Sequence, residues 1–157
     1  ASVLAERLRG TYKMLHLPDG LSQDSLHMLM TCEPQIKEIG NLISRTDVLL
    51  FGIGTAMRMA DQRHIADDVR KQLVDNHAVG EALGQYCDMD GKLIYSTNNI
   101  GLSLPDVAKV PNVIAVAGGQ EKASAIIGVM RACQKGILII DEQAAEGMRQ
   151  LLQISAL

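Results

Sequence analysis

Two glycine-bearing segments and three side chains have types and spacings that suit chemistry. Gly118 and Gly119 end an apolar run and lead into Gln120, Glu121 and Lys122; Gly52 and Gly54 end another. Glycine lets a backbone approach a ligand closely, and the free N–H groups of a following helix favour an anion. Lys122 falls in the first turn of its predicted helix, where the macrodipole disfavours a cation by up to about 1 kcal/mol. A bound phosphate would reverse that penalty, and a surface lysine paired with Glu121 or Asp141 fits the same spacing. Gly52-Ile53-Gly54 lacks a third glycine, so a tight βα turn explains it more simply than a dinucleotide fingerprint. Arg63 has the fork to grip a phosphate, although its place also suits a solvated helix end. Glu81, next to Gly80 among apolar neighbours, suits either an acceptor for sugar hydroxyls or an edge-strand charge.

Other chemistries find no support. His16, His27, His64 and His77 share no metal-ligand spacing such as H-E-x-x-H, so no metal site is expected. No nucleophile motif such as G-x-S-x-G occurs. Glu81 and Asp141 are candidate general bases, but neither has a supporting acid–base partner in the sequence. The eight methionines recur at helical spacing with Leu and Ile, as core filler does.

The elements that must position these residues alternate. Val3, Leu4 and Leu8 before Gly10 read as a helix tail with a glycine cap. Thr11 to Leu15 reads as a strand ended by a Pro18-Asp19-Gly20 turn. Ser22 suits the N-cap of a helix through Met30, and Pro34 the first turn of another carrying Ile36, Ile39, Leu42 and Ile43. Asp47 to Ile53 suits a strand buried on both faces. Helices follow from Thr55 and over Ile65 to Val74. Gly80 to Asp88 and Lys92 to Ser96 flank Met89-Asp90-Gly91, a hairpin signal. A short helix over Leu104 to Lys109 precedes a strand at Asn112 to Ala117. A helix over Gln120 to Cys133, a strand at Ile137 to Ile140 and a helix over Glu142 to Leu152 complete the chain. Strands separated by helices imply a parallel α/β sheet with right-handed crossovers.

With 157 residues, 47% of them hydrophobic, the chain can fill one domain with a core. A formal charge of −3 argues against a phosphate-gripping nucleic-acid face. With one Phe and no Trp, few residues could stack on bases. No apolar run approaches the roughly 18–20 residues of a membrane span, and no secretory signal is visible. The odd set Cys32, Cys87 and Cys133 suits a reduced, cytoplasmic chain. The chain has no initiator Met and opens in helix-like sequence, so an upstream segment is expected.

Several motifs occur in order. Val110-Pro-Asn-Val-Ile-Ala-Val-Ala-Gly-Gly-Gln-Glu-Lys-Ala is followed by Ile137-Leu-Ile-Ile-Asp-Glu-Gln-Ala-Ala. Upstream lie Phe51-Gly-Ile-Gly and Asn76-His-Ala-Val-Gly-Glu-Ala-Leu-Gly-Gln-Tyr, then Asp88-Met-Asp-Gly. Together they resemble the C-terminal half of the SorC-type sugar-binding transcriptional regulators over nearly the whole chain. His77 stands where glycine is more usual in that family. Thr11-Tyr-Lys-Met-Leu-His-Leu-Pro-Asp-Gly-Leu-Ser looks closest to the subgroup that represses glycolytic operons and responds to fructose-1,6-bisphosphate.

The resemblance implies an α/β, Rossmann-like three-layer sandwich with a mostly parallel sheet and a local β-hairpin. That fold is related to glucosamine-6-phosphate deaminase and ribose-5-phosphate isomerase. Residues 1–157 would form the effector-binding domain of a non-enzymatic regulator, with the helix-turn-helix and the domain's first strand lying upstream; a sugar-phosphate isomerase or deaminase of the same fold is the alternative. The implied site comprises Lys122 with the Gly118, Gly119 and Gln120 backbone on one phosphate, Glu81 on sugar hydroxyls, and Arg63 beyond the Gly52–Gly54 loop. Gln62 stands where related sequences often carry a first arginine. The implied partners are a phosphosugar, further copies of the chain as dimer or tetramer, and DNA through the upstream domain only. No cofactor, metal or membrane is implied.

Overall fold

Apolar runs closed by glycine become strands, and the periodic stretches between them become helices. A computed structural model describes residues 2–17 and 20–153. It forms two units, Ala1–Arg45 with Asn98–Ile100, and Thr46–Thr97 with Gly101–Leu157.

The smaller unit holds α1 (Ser2–Arg7), α2 (Gln23–Cys32) and α3 (Pro34–Ile43). Ser22 caps α2, its Oγ accepting the Ser25 N–H at 3.1 Å, and Pro34 opens α3 where its missing N–H costs nothing. Asn98 accepts from Gln23 Nε2 and donates to the Leu21 carbonyl, both at 3.1 Å. The cap of α1 differs from expectation. Arg9, not Gly10, takes the left-handed position (φ 55°). The Gly10 N–H then reaches the Ala5 carbonyl at 2.8 Å and the Arg9 N–H reaches that of Glu6 at 3.0 Å, closing a Schellman turn. Thr11 to Leu15 forms no strand. Tyr12 and Met14 are exposed, and a strand without a neighbour leaves its backbone groups to solvent. Pro18 and Asp19 of the expected turn lie outside the described residues; Gly20 has φ 82°.

The larger unit begins with β1 (Val48–Gly52), β2 (Gly54–Thr55), α4 (Ala56–Gln62) and α5 (Asp67–Asp75). Then come β3 (Gly80–Ala82), β4 (Gln85–Cys87), β5 (Leu93–Ser96) and a 3₁₀ turn at Pro105–Lys109. The chain continues through β6 (Asn112–Ala117), a 3₁₀ turn at Gln120–Lys122, α6 (Ala123–Cys133), β7 (Ile137–Ile140) and α7 (Glu142–Leu151). A parallel sheet runs β1-β6-β7, and an antiparallel sheet runs β2-β3-β4-β5. The α/β class and the parallel strands agree with the sequence. The antiparallel part is larger than one hairpin, because the stretch before Met89 itself turns at Leu83-Gly84 and yields β3 and β4.

The core lies on one face of the parallel sheet. Phe51, Val113, Ala115 and Ala117 pack there against Ala125, Ile126, Val129 and Cys133 of α6 and Ala144 of α7. The opposite face is exposed: Val48, Leu50, Val116, Ile137 and Ile139 are each more than 40% accessible. Burial of β1 on both faces is therefore not what this unit shows, because its own helices cover a single side. Helix α6 also crosses the antiparallel sheet closely. A Cβ at Gly80 would lie 2.8 Å from the Ala125 carbonyl oxygen, and one at Gly128 would lie 2.3 Å from that of Asp88.

Candidate functional site

The site grows from the end of β1. Gly52 and buried Ile53 carry the chain out of the parallel sheet, and Gly54 and Thr55 enter the antiparallel one as β2. Gly54 pairs with Glu81 of β3, so strand register alone brings residues 27 positions apart side by side. A Cβ on Gly54 would strike Met59 Cγ at 2.4 Å and stand 3.8 Å from Glu81 Oε2. Gly52 is under no such constraint, its nearest atom being the Val116 carbonyl oxygen at 3.8 Å.

These residues open a cavity of about 460 Å³. Its polar wall is Arg58, Gln62 and Arg63 from the α4 segment, Glu81 from β3 and Lys122 from the turn before α6. Its apolar wall is Phe51, Ile53, Met59, Leu83 and Val116, with Gly52 and Gly54 at the strand exit. Three cationic side chains therefore meet one carboxylate in a chain whose overall charge is negative. Glu81 is 3% exposed. Its Oε1 accepts the Gly84 N–H at 2.7 Å and Arg63 Nη2 at 3.3 Å. Burial pushes the Glu81 carboxyl above its ordinary range, while the Gly84 hydrogen bond and Arg63 pull it back. A carboxylate so placed is an acceptor for hydroxyls, and the cations around it suit a phosphate.

The second glycine loop is arranged differently. Gly119 has φ 95° and donates its N–H to both Asp141 carboxylate oxygens, at 3.1 and 2.9 Å. Asp141 also caps α7, accepting the Ala144 N–H at 2.8 Å. A Cβ on Gly118 would lie 2.7 Å from Asp141 Oδ2, and one on Gly119 would lie 2.5 Å from Glu121 Oε2. Gln120 packs on Gly147 of α7. Gly118, Gly119 and Gln120 thus stand outside the cavity wall, with Gly119 between the Asp141 and Glu121 carboxylates, while Lys122 of the same turn lines the cavity. Lys122 occupies the N-cap position of α6 rather than the helix interior, because the 3₁₀ turn intervenes. Any anion at the Gly119 N–H has to displace Asp141.

Sequence reasoning named Gly52, Gly54, Arg63, Glu81 and Lys122, and the structure brings these together. It passed over Arg58, Met59 and Leu83. One signal existed for Arg58: it lies four residues before Gln62, hence on the same helix face. Leu83 occupies the left-handed region (φ 55°), which costs an L-residue roughly 1–2 kcal/mol. His77, the residue found where glycine is usual, is also left-handed (φ 54°) and ends α5 with its N–H on the Val74 carbonyl. Histidine is among the side chains that tolerate this conformation. Elsewhere, burial pushes the Cys87 thiol up to about 12 and the Cys133 thiol up to about 11, so neither is a nucleophile at neutral pH. Among the described residues no group of His, Cys, Asp or Glu is arranged to hold a metal ion, and no helix is long and apolar enough to cross a membrane.

Residues 1–150 match the family described as "Putative sugar-binding domain". The central glycolytic genes regulator of Bacillus subtilis is 38% identical over 143 residues, covering 91% of this chain and 42% of that protein. The chain belongs to this sugar-binding domain family. The crystal structure of a SorC family transcriptional regulator from Enterococcus faecalis superposes with a TM-score of 0.84 at 37% identity, covering 94% of this chain and 60% of that one. The full-length sorbitol operon regulator SorC from Klebsiella pneumoniae shares the fold, with a TM-score of 0.75 at 23% identity over 92% of this chain and 47% of that one. These relatives are transcriptional regulators rather than enzymes. This sugar-binding domain spans about two fifths of the length of the curated Bacillus relative.

Proposed function

We propose that this sugar-binding domain is the effector-sensing part of a transcriptional regulator and that its cavity takes a phosphorylated sugar. The observation that carries the reading is the convergence of Arg58, Arg63 and Lys122 with buried Glu81 at the exit of β1. The cations hold phosphate, and Glu81 accepts from sugar hydroxyls. The Gly118–Gln120 turn serves chiefly to present Lys122. Fructose-1,6-bisphosphate is the ligand of choice: the Bacillus relative is named for glycolytic genes, and the cations stand at more than one place on the wall. Binding biases the arrangement of subunits in a dimer or tetramer, and through it the fit of attached DNA-binding segments to an operator. The shift can be no larger than the ligand's differential affinity for the two arrangements.

Thermal unfolding of the intact chain against a panel of phosphosugars tests this. A ligand at 100 times its Kd adds about 2.7 kcal/mol of stability. The expected result is a rise in Tm with fructose-1,6-bisphosphate that is lost in Lys122→Ala. Undiminished affinity in Lys122→Ala removes Lys122 from the site, and a flat response to every phosphosugar removes the ligand.

A further inference from the structure

The turn joining β3 to β4 has two residues, Leu83 and Gly84, fixed by the pairing of Ala82 with Gln85. Both have positive φ, 55° and 78°, the signature of a type I′ turn, whose twist matches a hairpin's. Asn, Asp and Gly suit its first position because they tolerate left-handed backbone cheaply. Leucine does not, and a bulky side chain there is an outlier. The turn is also pinned. Gly84 donates its N–H to Glu81 Oε1 at 2.7 Å, and its carbonyl accepts the Thr97 N–H at 2.8 Å and hydroxyl at 2.9 Å. Leu83 is therefore held in an unfavourable backbone conformation in the cavity wall, two residues from Glu81, where it also packs against the core. Strain kept at a cavity wall invites a functional account.

Resting on the reading of the cavity as a phosphosugar site, we propose that Leu83 is a specificity-determining residue. It forms the apolar wall against which the ligand's carbon skeleton packs while the cations take phosphate. When a sugar turns its hydroxyls toward Glu81, its C–H face is left for an apolar partner. Inorganic phosphate has no such face. Leu83 thus separates a phosphorylated carbon skeleton from the bare anion.

Titration of the intact chain with inorganic phosphate and with fructose-1,6-bisphosphate tests this in wild type, Leu83→Asn and Leu83→Met. Asparagine suits the left-handed turn but presents no apolar wall; methionine keeps the apolar volume. Leu83→Asn is expected to hold its Tm within a few degrees, because relief of the turn offsets lost burial. Its affinity for the bisphosphate falls by roughly tenfold or more, as for lost contacts in an apolar pocket, and its affinity for phosphate stays unchanged. Leu83→Met keeps both affinities. Unchanged bisphosphate affinity in Leu83→Asn overturns the proposal. So does parallel loss of both probes with a collapse in Tm, which marks Leu83 as core packing. If wild type binds neither probe, the phosphosugar reading itself fails and the role of Leu83 falls with it.

Discussion

Replacing Glu81 by glutamine isolates the balance of forces in the cavity. The carboxylate is 3% exposed and stands 3.3 Å from Arg63 Nη2. At that separation and an effective dielectric of about 20, the gross attraction is roughly 5 kcal/mol. Arg63 keeps 28% of its side-chain surface in solvent, which screens the pair and reduces its worth. Against it stands the desolvation of the carboxylate, several kcal/mol per buried ion, and burial is the dominant influence on Glu81. Burial outweighs the Gly84 hydrogen bond and Arg63, which hold the carboxyl back but leave it above its ordinary value. Glutamine keeps an oxygen for the Gly84 N–H and removes the charge. Stability at pH 7 should therefore change by less than about 1 kcal/mol, a Tm shift of about 2–4 °C at this chain length.

The pH dependence follows with a definite sign. The Glu81 carboxyl lies higher in the folded chain than its ordinary value of 4.5. Folding then favours its protonated form, so the stabilisation is complete below the ordinary value and is lost as pH rises through the raised one. Denaturant unfolding of both proteins from pH 4 to pH 7 cancels the other carboxylates. Wild type should lose stability relative to Glu81→Gln as pH rises across that window. A loss of 3 kcal/mol or more in Glu81→Gln at pH 7, the roughly 3–5 kcal/mol scale for leaving the partner of a buried ion pair uncompensated, refutes the expectation.

Three further outcomes are expected. Asp141→Ala removes the α7 cap and the acceptor of the Gly119 N–H and should cost about 1–2 kcal/mol in denaturant unfolding. Asp141→Asn, which can still cap, should cost less than half as much. Gly128→Ala would place a Cβ 2.3 Å from the Asp88 carbonyl oxygen; it should lower stability by about 1–3 kcal/mol or more, seen as a lower Tm by circular dichroism.

What the sequence disclosed depends on whether the cause was local. Ser22 and Pro34 mark their helices through chemistry within a turn of themselves, and both stand at the helix starts. The runs ending at Gly52 and Ala117 and at Ile140 are apolar enough to be strands in any setting. Thr11 to Leu15 has strand composition but needs a neighbour to become one. Leu83 hid a turn because leucine is foreign to type I′ hairpins; only Gly84 beside it hinted at one. The cavity is legible only in part for the same reason. Glycine and lysine spacing pointed to Gly54 and Lys122, but Arg58 gains meaning from Glu81, which arrives through pairing with Gly54. The Gly118-Gly119 N–H groups read as open because the carboxylate that meets Gly119 comes from Asp141, 22 residues later.

The most direct test of the central claim is a crystal structure of the intact chain with fructose-1,6-bisphosphate. The expected result is a phosphate on Lys122 and at least one of Arg58 and Arg63, sugar hydroxyls on Glu81, and Asp141 still bonded to the Gly119 N–H. A phosphate seated at Gly118-Gly119 with Asp141 displaced, or bound away from Arg58, Arg63 and Lys122, would contradict it.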